Sequence, residues 1–131
     1  MVKGSLSYLL DTNIISEPAR SPASLLVINQ LKRHAKEIAI CSIVLHELRY
    51  GWLKMADGQR KQAIGQYINE VISTLPCLDY DSAAARVHAE IRSQTEKQGH
   101  TLPFVDSQIA AIAIANGLTL VTRNTKDFEA I

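Results

Sequence analysis

Four acidic residues lie beside short apolar runs of the sequence, where carboxylates could act together on a metal ion. Asp11 ends the first run, Glu47 follows the second, Asp106 opens a long apolar segment and Asp127 follows the last run. Carboxylates that gather in one cleft repel one another, so some take up protons unless a cation offsets their charge. Mg²⁺ and Mn²⁺ prefer such oxygen ligands, and they promote phosphate chemistry. The pattern therefore favours metal-dependent chemistry at a phosphate, provided that the fold brings the acids together.

Each acid also has a purely structural explanation. Asp11 fits a turn with the two polar residues that follow it, and Glu47 fits a solvated helix residue. Asp106 fits a first-turn residue that complements the helix dipole, and Asp127 fits an ordinary surface acid. Taken singly, these explanations are adequate. They do not explain why four separate elements each place an acid toward one edge of the predicted sheet.

The elements that would position these acids alternate between short apolar runs and longer amphipathic segments. The predicted strands are Leu6–Asp11, Ile38–Cys41, Cys77–Tyr80 and Leu118–Thr122. The predicted helices cover residues 21–37, 42–55, 59–75, 82–99 and 102–117. Apolar strands that alternate with helices are typical of a parallel sheet covered on both faces. We expect one α/β domain over residues 1–131, a three-layer α/β/α sandwich with a central parallel sheet of four to five strands.

Several residues predict where the helices begin and end. Ser21 fits an N-cap with Pro22 at the first helical position, and Ser42 fits the cap of the next helix. Asp81 fits the cap of the helix that Gly99 would end. Asn116 and Gly117 likewise fit the end of the helix that Asp106 opens.

The predicted topology gathers the polar residues at one place. Ligands of open α/β sheets bind at the carboxyl ends of the strands. Asp11 lies at the end of the first strand, with Asn13 close behind it, and Asn124 and Asp127 follow the last strand. All of them therefore fall at or near the same edge as Glu47.

Composition narrows the classes of protein further. The chain has 131 residues, of which 47% are hydrophobic, so it can bury a real core. No apolar run reaches the roughly 20 residues that span a bilayer, so we expect a cytoplasmic protein without a membrane partner.

Neither CxxC nor HExxH occurs, which argues against zinc. Cys41 and Cys77 read as small buried residues, and the four histidines read as helix-surface or loop residues. A net charge of +1 predicts no partner by itself.

Three blocks of sequence resemble a known family. "LLDTNIISE", "SIVLHELRYG" and "DSQIAAIAIANGLTLVTRNTKDF" are similar to the PIN domain, and specifically to the VapC-type toxins of bacterial toxin–antitoxin pairs. The similarity runs from about Leu9 to Phe128. It implies a metal-dependent ribonuclease whose Mg²⁺, or Mn²⁺, is held by Asp11, Glu47 and Asp106.

The resemblance leaves the fourth acid divided between two residues. Asn124 directly follows "TR", where relatives can carry Asp, and Asp127 comes three residues later. Asp127 could take the fourth role, with Asn124 as a neutral ligand or water-binding group. Asn13 and Thr122 look like the polar residues that line the site in this family.

The resemblance also implies partners. It implies a homodimer, a VapB-type antitoxin that covers the active-site groove, and an RNA substrate, with tRNA favoured. The apolar stripe of the helix over residues 59–75 could belong to the core or to a dimer or antitoxin surface.

Two other functions remain open on the sequence alone. In one, the acids only dock basic groups of a partner, and the chain is an antitoxin-bound co-repressor or binding module without nuclease activity. In the other, it is a different carboxylate–metal phosphohydrolase, such as a haloacid-dehalogenase-like phosphatase. That second family needs another Asp two residues after the first, and Asn13 is there instead.

Overall fold

The computed structural model describes residues 6–129 and residue 131, except for the side chain of Asp127. This part of the chain contains four β-strands, six α-helices and three short 3-10 turns. In chain order the strands and helices are β1 (Tyr8–Leu10), α1 (Thr12–Ile15), α2 (Leu25–Arg33), β2 (Ile38–Cys41), α3 (Ser42–Leu53), α4 (Gln59–Glu70), β3 (Cys77–Leu78), α5 (Ser82–Lys97), α6 (Phe104–Ala115) and β4 (Thr119–Val121). The 3-10 turns are Glu17–Ala19, Ile72–Thr74 and Thr125–Phe128.

The strands form one parallel sheet in the order β3-β2-β1-β4, flanked by helices. Strand β1 is central, because Leu9 pairs with Ala39 of β2 on one side and with Leu120 of β4 on the other. All four residues of β2 are buried, as expected for a strand covered on both faces. The predicted parallel sheet and α/β class are confirmed, and the sheet has the lower of the two expected strand numbers.

The order of the strands creates a topological switch point between β1 and β4. The chain moves from β1 to β2 and β3 on one side, and then returns to the other side of β1 as β4. The connections leave such a point in opposite directions, and ligands of open α/β sheets bind in the crevice outside the carboxyl ends of the strands there. The pairing continues one residue beyond β1, where the Asp11 N–H donates to the Val121 carbonyl at 3.0 Å.

Helix α6 is largely buried in the core of the fold. Residues 109–113 are all buried, which agrees with their unbroken apolar sequence. The helix ends at Asn116, and Gly117 has a φ of +68°, a left-handed conformation that glycine adopts without strain. Because the chain turns back within residues 116–118, α6 runs opposite to β4. Its first turn therefore lies toward the carboxyl ends of the strands.

Two predicted helix starts are wrong. Helix α2 begins at Leu25 and not at Pro22, because Ser24 is the N-cap and its hydroxyl accepts from the Val27 N–H at 3.4 Å. Ser42 is the first residue of α3 and not its cap, because β2 runs directly into the helix and Cys41 occupies the cap position without a side-chain bond.

Other boundaries agree with the sequence. The Asp81 carboxylate accepts from the Ala84 N–H at 3.0 Å, and Gly99 follows α5 with a φ of +79°. Helix α4 ends at Glu70, earlier than predicted, and a 3-10 turn follows. Its apolar stripe belongs mainly to the core, since Ile68 is buried and Tyr67 packs against that core.

The two cysteines differ in their surroundings. Cys41 is buried as predicted, but Cys77 is exposed because the two-residue strand β3 forms the edge of the sheet. No helix in the described part of the chain has the length and apolar character needed to cross a membrane.

Candidate functional site

Asp11 lies at the switch point with its carboxylate buried. Asp11 is 5% exposed. It directly follows β1 and is the N-cap of α1. One carboxylate oxygen, Oδ1, accepts from the Thr12 N–H at 2.7 Å, and Oδ2 accepts from the Thr122 hydroxyl at 2.8 Å. Within the described residues, the ion pairs of the molecule involve other acids. The site therefore holds a buried carboxylate on neutral donors, an arrangement whose charge a bound cation would offset.

The end of β4 is fastened to the start of α1 by polar side chains. The Thr122 hydroxyl donates to Asp11 and accepts from the Asn124 N–H at 3.0 Å. The Asn13 side-chain oxygen accepts from the Arg123 N–H at 3.2 Å. Thr122 and Asn13 both lie at the carboxyl edge of the sheet, and their expected role in lining the site stays a prediction. They hold two loops together, and Thr122 touches the central acid itself.

Thr12 links two of the predicted acids. Its backbone N–H binds Asp11, and its hydroxyl donates to Oε1 of Glu47 at 3.1 Å. Glu47 lies in the second turn of α3 and is exposed. Thr12 therefore connects two of the candidate acids. It has no such place among the residues predicted from the sequence, although its position directly after Asp11 is a usable signal.

Asp106 occupies the third position of α6, within the first turn, and is half-buried. A carboxylate there complements the positive end of the helix dipole. The direction of α6 and the course of α3 from the end of β2 place Asp106 and Glu47 toward the same edge as Asp11.

The fourth site residue stays a prediction. The side chain of Asp127 lies outside the described part of the structure, and only its backbone is seen, within the turn Thr125–Phe128. Asn124 is exposed, and the bond that ties it to the site comes from its backbone N–H to Thr122.

The residues present match a hard divalent cation in chemistry. The available donors are carboxylate and hydroxyl oxygens, which suit Mg²⁺ or Mn²⁺ rather than zinc. Among side chains that the structure describes, no three His, Cys, Asp or Glu residues already form a group that could hold an ion. Glu47 is exposed, so its carboxylate can change rotamer without disturbing the core. The oxygen donors, and the neutral groups that bind the Asp11 carboxylate, therefore fit the metal.

A second buried carboxylate, Glu17, was not singled out by its sequence context. It is 2% exposed and forms an ion pair with Arg123, while its Oε2 accepts from the Ser24 N–H at 2.7 Å. The Ser24 N–H first, and then the bond and charge of Arg123, hold the pKa of Glu17 below its ordinary value. Because Arg123 also binds Asn13, Glu17 braces the loop that carries Thr122.

The expectation for the histidines is wrong at His88, which is 3% exposed. It lies on the face of α5 that packs against α6, and both of its ring nitrogens have polar partners. An isolated His in an amphipathic helix carries no signal of such a pairing, because the partners come from outside the helix.

Comparison with known proteins agrees with this geometry. The PIN domain family matches residues 8–131. The chain is 36% identical over 127 residues to tRNA(fMet)-specific endonuclease VapC of Shigella flexneri, covering 96% of this chain and 92% of that protein.

Two solved structures share the fold. FitAcB from Neisseria gonorrhoeae has a TM-score of 0.87 and 32% identity, with 94% of this chain and 91% of that one covered. VapBC2 from Rickettsia felis, bound to a DNA fragment from its promoter, has a TM-score of 0.82 and 34% identity, with 96% and 93% covered. The chain therefore belongs to the PIN-domain family and, within it, to the VapC-type toxins.

Proposed function

We propose that this protein is a Mg²⁺-dependent endoribonuclease toxin that cleaves RNA, with tRNA as the favoured substrate class. One observation carries the proposal: a buried carboxylate, Asp11, lies at the switch point of the sheet and accepts hydrogen bonds from two neutral groups, the Thr12 N–H and the Thr122 hydroxyl. The matched relative from Shigella flexneri, whose name describes a tRNA(fMet)-specific endonuclease, supports the substrate class.

Asp11, Glu47 and Asp106 would hold the ion, and Asp127 or Asn124 would complete the site. When bound, Mg²⁺ supplies Lewis-acid stabilisation of the charge that develops on the phosphate and on the leaving oxygen. Mn²⁺ offers the same oxygen-ligand chemistry.

The protein's own contribution is orientation. Thr12 and Thr122 each donate to one oxygen of Asp11, so the two bonds restrain the rotation of that carboxylate and the direction of its remaining lone pairs. Preorganised groups of this kind lower the barrier because they need no rearrangement during the reaction. Glu47 is exposed and linked to the same site by Thr12, so it is suited to orient the attacking water and to accept its proton.

Positive charge at the rim would receive the phosphate backbone. The Arg123 side chain is 34% exposed and is anchored by Glu17. It directly follows Thr122, which contacts Asp11, and a guanidinium near that edge of the sheet would favour phosphate.

The proposed biological partner is a VapB-type antitoxin, and the proposed assembly is a homodimer. The solved VapBC2 complex from Rickettsia felis supports an antitoxin partner by relationship. An acidic crevice attracts a basic side chain when its cation is absent, so an antitoxin Arg or Lys could inhibit by occupying the place of the metal.

The test is cleavage of purified tRNA with Mg²⁺, with EDTA, and with Mg²⁺ restored in excess over EDTA. Asp11→Asn and Asp106→Asn remove the charge of two proposed ligands while keeping their size. The matched control is Asp57→Asn, which removes a fully exposed carboxylate near the start of α4. Cleavage should require Mg²⁺, should be lost in both site variants, and should persist in the control.

The outcome also separates the nuclease from the rival function. A binding module would leave tRNA intact under every condition and would show no dependence on Mg²⁺. Cleavage that survives EDTA and both site substitutions would show that the activity comes from another source and would overturn the proposal.

A further inference from the structure

Three side chains form a series of hydrogen bonds where α5 and the residues before it pack against α6. The Tyr80 hydroxyl lies 2.7 Å from Nδ1 of His88, and Nε2 of His88 lies 2.8 Å from the Ser107 hydroxyl oxygen. The Ser107 hydroxyl in turn donates to the Phe104 carbonyl at 2.8 Å. His88 and Ser107 are both buried, and the catalytic proposal uses none of these groups.

One arrangement of protons forms all three hydrogen bonds at once when the imidazole is neutral. The Phe104 carbonyl can only accept, so in this arrangement the single hydrogen of Ser107 points to that carbonyl. Ser107 must then accept from His88 Nε2–H, which leaves Nδ1 to accept from the Tyr80 hydroxyl. Burial first, and then the nearby charge of Arg92, lower the pKa of His88, which favours the neutral ring.

The series of hydrogen bonds ends on the first turn of α6. Pro103 is the N-cap of α6 and provides no side-chain cap, and Phe104 and Val105 are exposed. Helix ends without caps fray. In this structure, residues of α5 contact both ends of the turn. Ser107 is hydrogen-bonded to His88. The Phe104 ring packs edge-on against the His88 ring, with 5.0 Å between centroids, and the Arg92 guanidinium lies 5.3 Å from the centre of the Phe104 ring.

Asp106 lies between Phe104 and Ser107, the two residues of this turn that contact α5. Phe104 is two positions before it and Ser107 is directly after it, within the same turn. A turn fixed at both positions has a fixed height and rotation, and so does the Cα–Cβ direction of the residue between them.

We propose that Tyr80, His88 and Ser107 are positioning residues that fix the first turn of α6 and thereby set Asp106 at the metal site. The inference rests on the proposed function only in giving Asp106 a metal to bind. It assigns a role to three residues that are not themselves among the proposed metal ligands.

The test uses Ser107→Ala, which removes the hydroxyl that is hydrogen-bonded both to His88 Nε2 and to the Phe104 carbonyl. The matched control is Thr95→Val, which also removes a buried hydroxyl from the α5–α6 region. The Thr95 bond, to the Ile91 carbonyl at 2.9 Å, stays inside α5. His88→Leu and His88→Gln form a second pair, since Gln keeps an N–H donor near Ser107 and Leu does not.

Two readouts are measured on each folded variant: amide hydrogen exchange at residues 107 and 108, and Mn²⁺ binding by electron paramagnetic resonance. Ser107→Ala should speed exchange by roughly three- to tenfold through local opening of the turn. It should also weaken Mn²⁺ binding by about tenfold. His88→Leu should behave in the same way, His88→Gln should recover part of the loss, and Thr95→Val should match the wild type.

Equal exchange and equal Mn²⁺ binding in Ser107→Ala, His88→Leu and Thr95→Val would overturn the inference. If the wild type binds no Mn²⁺, the proposed function fails. Amide exchange at residues 107 and 108 then tests the inference alone. Faster exchange in Ser107→Ala than in Thr95→Val supports the role of Tyr80, His88 and Ser107 in fixing the first turn of α6, and equal exchange rejects it.

Discussion

The Thr122 hydroxyl donates a hydrogen bond to the buried carboxylate of Asp11 at 2.8 Å across 111 positions of sequence. The bond joins the ends of two neighbouring parallel strands, β1 and β4, at the switch point of the sheet. Thr12 binds the other carboxylate oxygen from the backbone, so Asp11 is held from both sides. The orientation of the central acid therefore depends on the closure of the sheet.

Replacing Thr122 with Val tests this relationship. The change keeps the shape of the side chain but removes the donor to Asp11, leaving Oδ2 without its partner. We expect a loss of about 1–3 kcal/mol in the free energy of unfolding, and a fall in RNA cleavage by about ten- to a hundredfold. Urea unfolding and single-turnover cleavage measure the two effects.

Thr122→Ser is the matched control, because it retains the hydroxyl and should retain most of the activity. If Thr122→Val cleaved RNA as fast as Thr122→Ser, the hydroxyl would have no part in orienting Asp11.

The pairing of Glu17 with the Ser24 N–H and Arg123 predicts a dependence of stability on pH. The folded state lowers the pKa of Glu17 below the ordinary value of 4.5. The ionised group therefore stabilises the fold above about pH 4.5, and this contribution disappears as the pH falls through the lower, folded value. Glu17→Gln should be less stable than the wild type at neutral pH, and the two should converge at strongly acidic pH. Urea unfolding across the acidic range measures the difference, and a constant gap would refute the pairing.

The close approach of α3 and α4 at Gly65 predicts a steric effect. A Cβ at Gly65 would lie 2.8 Å from three atoms of the Trp52 indole, and that ring is held by its N–H bond to the Lys61 carbonyl. Gly65→Ala should lower the unfolding free energy by about 1–3 kcal/mol. The matched control, Gly51→Ala in α3, has open space around the new Cβ and should raise stability by about 0.5–1 kcal/mol. A stabilising Gly65→Ala in thermal unfolding would contradict the packing described.

The elements of this fold follow largely from local sequence. The alternation of apolar runs and amphipathic segments is enough to predict the parallel sheet, which the structure confirms. That Asp11, Glu47 and Asp106 form one site stays a prediction. Asp81 and Gly117 also marked helix ends correctly, because a cap or a left-handed turn depends on residues within a few positions. The predicted start of α2 is wrong because Ser21 followed by Pro22 has the local pattern of a helix start, whereas the cap in the structure is Ser24.

The contacts that orient the site could not be predicted in the same way. Glu17 meets Arg123, and Tyr80 meets His88 and Ser107, only after distant parts of the chain have packed. Neither pairing has a sequence spacing that distinguishes it from surface charge or from an ordinary helical histidine. Buried polar groups must find partners, but one sequence does not show which polar groups become buried.

The central claim is that Asp11 belongs to a site for a divalent cation, and a calorimetric titration with Mg²⁺ tests it most directly. The wild type should bind Mg²⁺ at millimolar or lower concentration, Asp57→Asn should match it, and Asp11→Asn should bind at least about tenfold more weakly. Absence of Mg²⁺ binding to the wild type, or unchanged binding to folded Asp11→Asn, would contradict the claim.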